Sequence, residues 1–197
     1  MGPFEVTQDS DEDCMLRYAA GELAAFQVLY ERHRGGLYRY FLRQSSRDVA
    51  EELFQDVWAR VIKARRSYRP HATFRTWLYT LARNRLIDYW RRQGRDPLAA
   101  SENGAETLED AAGSMTGNPR RLADLRDCLD QLLGLVEVLP LLQRETFLLR
   151  HDAGMTLAAI AAALDTGVET ARSRLRYAMQ RLRAGLPEEC LEDHEHG

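Results

Sequence analysis

Cysteine is scarce: Cys14, Cys128 and Cys190 are scattered over 197 residues. An odd number at such wide spacing argues against a disulfide framework and predicts reduced thiols in a reducing compartment. No apolar run approaches the roughly 20 residues of a membrane-crossing helix. The start, acidic through Asp13, lacks the basic and then apolar pattern of a secretion signal. Both features predict a cytoplasmic protein without direct membrane insertion. The motifs of catalysis are missing as well: there is no phosphate loop, HExxH, GxSxG or paired CxxC. Of the five histidines, His33 falls on an apolar helix face and is expected in a core, whereas His71 and His151 fall in loops. Cys190, His194 and His196 lie in an acidic tail, where a solubilising role is a better reading than a metal site. No catalysis, metal or cofactor is expected.

The chain does hold charge, and holds it unevenly. Arg60, Lys63, Arg65, Arg66, Arg69, Arg75, Arg83, Arg85, Arg91, Arg92 and Arg95 face one acid, Asp88, between Val57 and Arg95. The formal balance of −3 conceals this stretch because acids gather at the ends, in Glu5 to Asp13 and Glu188 to Glu195. A segregated basic surface of this kind suits a polyanion.

Apolar periodicity predicts an all-α protein of two small helical domains joined by a flexible linker. The boundaries are an acidic tail over 1–15, a helical domain over 16–93, a linker over 94–120, a second domain over 121–186 and an acidic tail over 187–197. Residues 23–42 fit two helices, or one interrupted at Gly35 and Gly36. Asp48 and Glu51 have the spacing of a capping box, ahead of the stripe Leu53, Phe54, Val57, Trp58, Val61 and Ile62. Pro70 breaks the pattern before an amphipathic helix from about Phe74 to Arg92. Residues 94–120 lose the apolar period and collect Gly, Pro, Ser and acids, as a linker does. A stripe from Leu125 to Leu139 and a helix from Leu141 to Arg150 follow. Thr156 to Leu164, the turn Asp165-Thr166-Gly167 and the helix Val168 to Leu186 then have the helix-turn-helix layout.

In that last helix Ala171, Leu175, Ala178 and Leu182 form a packing face. Glu169, Thr170, Arg172, Ser173, Arg176 and Tyr177 are left to solvent, where guanidinium forks and hydroxyls can reach base edges and phosphates. An ordinary solvated basic helix is the plainer alternative. The helix from Phe74 interleaves Phe74, Trp77, Tyr79, Tyr89 and Trp90 with Arg75, Arg83, Arg85, Arg91 and Arg92. Aromatics with arginines suit single-stranded DNA, although Trp77 or Trp90 taken alone reads as core. The polar loop Ser67 to Thr73 could wall a pocket for an extruded base.

Three runs carry a resemblance. They are Asp48-Val-Ala-Glu51-Glu52-Leu53-Phe54-Gln55-Asp56-Val57; Phe74-Arg-Thr-Trp77-Leu78-Tyr79-Thr-Leu81-Ala82-Arg83-Asn84 with Asp88; and Leu139-Pro140-x-x-Gln143-Arg144-Glu145-x-Phe147-Leu148-Leu149-Arg150. With Thr170-Ala171-Arg172-Ser173-Arg174-Leu175 they resemble the extracytoplasmic-function sigma factors of bacterial RNA polymerase, over about residues 20–186 apart from the linker. The resemblance implies that Asp48, Glu51, Glu52, Gln55 and Asp56 dock on the β′ clamp of core polymerase. It implies that Tyr68, Arg69, His71, Thr73, Phe74, Arg75, Trp77, Arg83, Asn84, Asp88 and Arg91 open and read the −10 element. Asp88 has an alternative as intrahelical partner of Arg85 or Arg92. Glu169, Thr170, Arg172, Ser173, Arg174, Arg176 and Tyr177 would contact the −35 element as duplex.

The linker would pass through the polymerase, with the β subunit a further partner, and a cognate anti-sigma factor could hold the protein inactive. Two departures stand out: Ala158 and Ala159 replace the family's usual acids, and Asp165 replaces the usual turn glycine, which Asp tolerates at modest cost. The competing readings are an enzyme, which the missing motifs disfavour, and a free-standing helix-turn-helix regulator that binds duplex DNA without core polymerase. The latter leaves the acidic helix and the aromatic basic helix without a task.

Overall fold

The computed structural model describes residues 9–94 and 121–190, with side chains of the second segment from residue 126. Those residues form eight α-helices and one 3-10 turn, with no strand among them, so the fold is all-α as expected. The linker expected over 94–120 falls outside the described residues except for Gly94, as do 1–8 and 191–197 of the two tails.

Helix α1 (Asp11–Ala19) begins inside the stretch expected to be an acidic tail. Ser10 accepts a hydrogen bond from the Asp13 N–H at 3.1 Å, and Asp11, Glu12 and Asp13 oppose the positive end of the helix dipole. Its other side buries Cys14, Met15 and Tyr18, so residues 11–15 belong to the first domain. The acids concealed this, because Asp11, Glu12 and Asp13 precede the apolar residues of a helix only nine residues long.

Helix α2 (Leu23–Leu42) is continuous through Gly35 and Gly36. Helix α3 (Arg47–Ala64) starts one residue before Asp48, with Ser46 at the N-cap position and no side-chain cap bond. The capping box is therefore not formed: Asp48 lies within the first turn, and Glu51 pairs instead with Arg47 at 3.3 Å and accepts from the Tyr38 hydroxyl at 3.5 Å. Helix α4 (Phe74–Arg92) is capped by Thr73, which accepts from the Thr76 N–H at 3.2 Å. Leu29, Leu37, Phe41, Leu53, Val57, Val61, Leu78 and Leu86 are buried between these helices.

The second domain comprises α5 (Arg121–Val138), α6 (Leu141–His151), α7 (Leu157–Ala163) and α8 (Val168–Gly185). Asp165 turns the chain between α7 and α8 with φ +50°, the left-handed conformation expected there. Gly185 lets α8 cross α5 closely: a Cβ at that position would lie 2.6 Å from Leu135 Cδ2. Beyond it the 3-10 turn Glu188–Cys190 folds back on α5, and Cys190 is disulfide-bonded to Cys128 with Cα atoms 5.7 Å apart. Reduced thiols were the expectation for both. A sequence separation of 62 residues hid a proximity that only the α5–α8 crossing creates. Cys14 is the free cysteine, and it is buried.

Candidate polymerase and nucleic-acid interfaces

The acidic face of α3 is exposed at Asp48, Glu51, Glu52 and Gln55. Asp56 is half-buried because Arg85 reaches it from α4, its Nε donating to Asp56 Oδ2 at 2.6 Å. Arg85 Nη2 also lies 3.6 Å from Glu52 Oε1. Counting Arg85 among surface cations was natural from composition, but its side chain is only 7% exposed. It acts as a strut that ties α3 to α4 and orients two of the five acids. Its partner carboxylates Asp56 and Glu52 thus come from α3.

The residues expected at the −10 element divide into two sets. Arg69, His71, Thr73, Arg75, Asn84 and Arg91 are exposed, and Trp77 and Asp88 are half-buried. Phe74 and Tyr68 are buried, at 0% and 4% exposure. The Tyr68 ring meets Trp77 edge-on at 5.0 Å, and Phe74 lies 5.7 Å from Trp77. Burial pushes the Tyr68 hydroxyl up to about 12. These two rings are therefore the wall that fixes the loop, with Trp77 at its rim.

Helix α1 adds a support that no sequence pattern announced. Glu12 Oε1 accepts from the Phe74 N–H at 2.5 Å, placing a carboxylate on the amino end of α4. Beside it, Asp11 Oδ2 lies 2.6 Å from His33 Nε2, and Asp11 Oδ1 accepts from Arg32 Nη1 at 2.9 Å. Hydrogen bonding from His33, then from Arg32, outweighs burial and holds the Asp11 carboxyl down at about 2. His33 is buried as expected.

Arg83 departs from expectation most. It is 8% exposed, and its Nε lies 3.2 Å from Glu145 Oε1 of α6. The Tyr40 hydroxyl donates to the same Glu145 oxygen at 3.2 Å.

On α8 the division matches the pattern. Ala171, Ala178 and Leu182 are buried, Leu175 is half-buried, and Glu169, Thr170, Arg172, Arg176 and Tyr177 are exposed. Ser173 and Arg174 are half-buried at the edge of that face. Glu169 accepts from Arg172 at 2.6 Å, and the Arg176 guanidinium lies 5.0 Å over the Tyr177 ring. Thr156 caps α7 by accepting from the Ala159 N–H at 3.2 Å, and the Asp165 turn leads from α7 into α8 with the polar face of α8 outward. No group of three or more potential metal ligands occurs among the described residues, and none of their helices is long and apolar enough to cross a membrane.

Comparison with known proteins agrees with this layout. Residues 29–96 match the Sigma-70 region 2 family model, and residues 135–184 match Sigma-70, region 4. The chain is 30% identical over 185 residues to the ECF RNA polymerase sigma factor SigK of Mycobacterium sp. (strain KMS), covering 92% of each. It is 27% identical to the ECF RNA polymerase sigma-E factor of Escherichia coli (strain K12), covering 85% of this chain and 90% of that one. Among solved structures the fold is similar to CnrH, determined with the cytosolic domain of CnrY, at TM-score 0.64 and 22% identity over 89% of this chain and 96% of that one. It is also similar to RpoE of Bartonella quintana, determined with the anti-sigma factor NepR, at TM-score 0.60 and 22% identity over 86% and 98%. The two matched regions correspond to the two helical domains, and the chain belongs to the extracytoplasmic-function sigma factors, non-enzymatic initiation factors that direct RNA polymerase to promoters.

Proposed function

We propose that the exposed face of α8 reads the −35 element as duplex, with Glu169, Thr170, Arg172 and Arg176 at the groove and Ser173, Arg174 and Tyr177 at its margin. The observation that carries this reading is the partition of α8: Ala171, Ala178 and Leu182 are buried, while Glu169, Thr170, Arg172 and Arg176 are exposed beyond the Asp165 turn. In region 2, Arg69, His71, Thr73, Arg75, Asn84 and Arg91 are the −10 contacts, with Trp77 as the stacking surface and Asp88 beside them. Phe74 and Tyr68 act by holding the loop in shape, and Arg83 joins the contact set only when it leaves Glu145. The acidic face of α3 docks on the β′ clamp of core polymerase through Asp48, Glu51, Glu52 and Gln55, with Asp56 held ready by Arg85. The protein works in the cytoplasm, where polymerase and DNA are, contacts the β subunit through its linker, and is held in check by an anti-sigma factor.

Single-round transcription with purified core polymerase on a pool of genomic promoter fragments tests the whole reading. New transcripts at defined starts are expected, and their shared upstream sequences give both elements. Asp48→Arg combined with Gln55→Ala, both at exposed positions, should remove core binding in gel filtration with helicity unchanged. Undiminished core binding by this variant would place the docking face elsewhere.

A further inference from the structure

The contact between the two regions carries an inference of its own. We propose that this sigma factor has a closed resting state in which Glu145, inserted between Tyr40 and Arg83, latches region 4 onto the promoter-facing side of region 2. A carboxylate of region 4 is thus buried among polar groups of region 2. Glu145 is 2% exposed and Tyr40 is fully buried. Arg83 of α4 and Tyr40 of α2 both reach the same carboxylate oxygen, each at 3.2 Å.

Close packing surrounds the latch. Gly36 of α2 lies under the backbone of region 4: a Cβ there would stand 3.4 Å from the Asp152 carbonyl oxygen, and 2.9 Å from the Tyr79 hydroxyl of region 2 itself. Arg75 extends to Gly154 in the α6–α7 turn, 3.1 Å from where a Cβ would lie. Helix α7 is Leu-Ala-Ala-Ile-Ala-Ala-Ala, and it packs along α4. Alanines permit that approach, where longer or charged side chains would hold the helices apart or need partners of their own.

The consequence follows from which cations converge. Arg83 belongs to the −10 set and Arg174 to the −35 set, and both lie in the field of Glu145. In the closed state Arg83 is neutralised inside the protein, and Arg174 is partly desolvated beside it. Arg83 is withheld from DNA, and Arg174 is only partly offered. Burial raises the Glu145 carboxyl above its usual range and lowers the Arg174 guanidinium, so the cluster is held at a cost. Buried ion pairs of this kind come close to break-even against solvation. A latch made of them gives way to a partner whose binding to either region favours the open state.

Small-angle scattering of the full chain tests the latch without reference to DNA. The wild type should be compact, Glu145→Arg should increase the radius of gyration by bringing guanidinia together, and adding Arg83→Glu should restore compactness. Equal radii for wild type and Glu145→Arg would overturn the proposal, as would a wild type already extended. Gly36→Leu provides a wedge of unchanged charge that meets both the Tyr79 hydroxyl and the Asp152 backbone, and it should expand the protein likewise with the helix content and urea stability of region 2 retained. The occlusion of Arg83 and Arg174 rests on their proposed DNA roles, and a mixed-sequence DNA duplex at low salt probes it separately. Gly36→Leu should bind that duplex several-fold more tightly than wild type. Expansion without any gain in affinity would keep the latch and overturn the occlusion.

Discussion

The two regions meet the same task, presenting charge to a nucleic acid, with opposite economies of side chain. Region 4 separates its faces: α8 buries Ala171, Ala178 and Leu182 and leaves Arg172 and Arg176 in water. Region 2 mixes them, so that on one helix, α4, Phe74 and Arg85 are buried while Arg75 and Asn84 are exposed. A helix that presents a duplex-reading surface needs only an apolar stripe behind it. A surface that must hold an irregular loop in place needs anchors beneath the loop, and in this protein those anchors are aromatic rings and ion pairs. The difference can be tested by asking which substitutions cost stability and which cost DNA affinity alone.

The largest effect is expected at Phe74. Its ring is fully buried against His33, Tyr68 and Trp77, so Phe74→Ala should cost about 3–5 kcal/mol in urea unfolding of region 2. A loss under about 1 kcal/mol would return Phe74 to the surface set and erase the contrast between regions. Arg85→Ala comes next. It removes the strut to Asp56 and Glu52, whose carboxylates still reach water at 42% and 65% exposure, so the cost should be about 2 kcal/mol, below that of stranding a fully buried partner. Because α3 also loses its tie to α4, core binding should weaken in the same variant, while Arg85→Lys should recover part of it.

Arg172→Ala sharpens the other side of the comparison. Its pair with Glu169 is exposed, at 59% and 79%, so folding stability should stay within about 0.5 kcal/mol of wild type. Affinity for the −35 duplex, measured against the wild-type sequence, should fall by roughly 1–3 kcal/mol if the fork reaches a base. A stability loss with intact DNA binding would mean that α8 mixes its roles as α4 does.

Legibility in the sequence follows the same divide. The α8 face could be read in advance because its apolar residues recur at helical spacing and the pair Arg172–Glu169 is local to the helix. The two-domain, all-helical layout was legible for that reason too. Arg83 and Arg85 were not, since their partners, Glu145, Asp56 and Glu52, lie on other helices and no local pattern marks a buried arginine. Helix α1 was missed because acids that serve a helix amino terminus look, in composition, like a solvated tail. The Cys128–Cys190 bond was hidden by the same kind of distance in sequence.

Asp11 gives the smallest and most selective test of that concealed helix. Its carboxyl is held at about 2 by His33 and Arg32, against 3.8 for the free group. A depressed folded value means that the stabilisation is present above the unfolded value and disappears as pH falls from about 4 to about 2. The carboxylate remains partly hydrated, so the effect should be about 1 kcal/mol rather than the full value of the shift. Thermal unfolding of wild type should therefore show a drop in melting temperature across that window that Asp11→Asn lacks, with the two proteins converging near pH 2. Parallel pH profiles would mean that α1 is anchored by Cys14, Met15 and Tyr18 alone. Convergence would show instead that the acidic start of the chain fixes α1 on α2 through Asp11, His33 and Arg32.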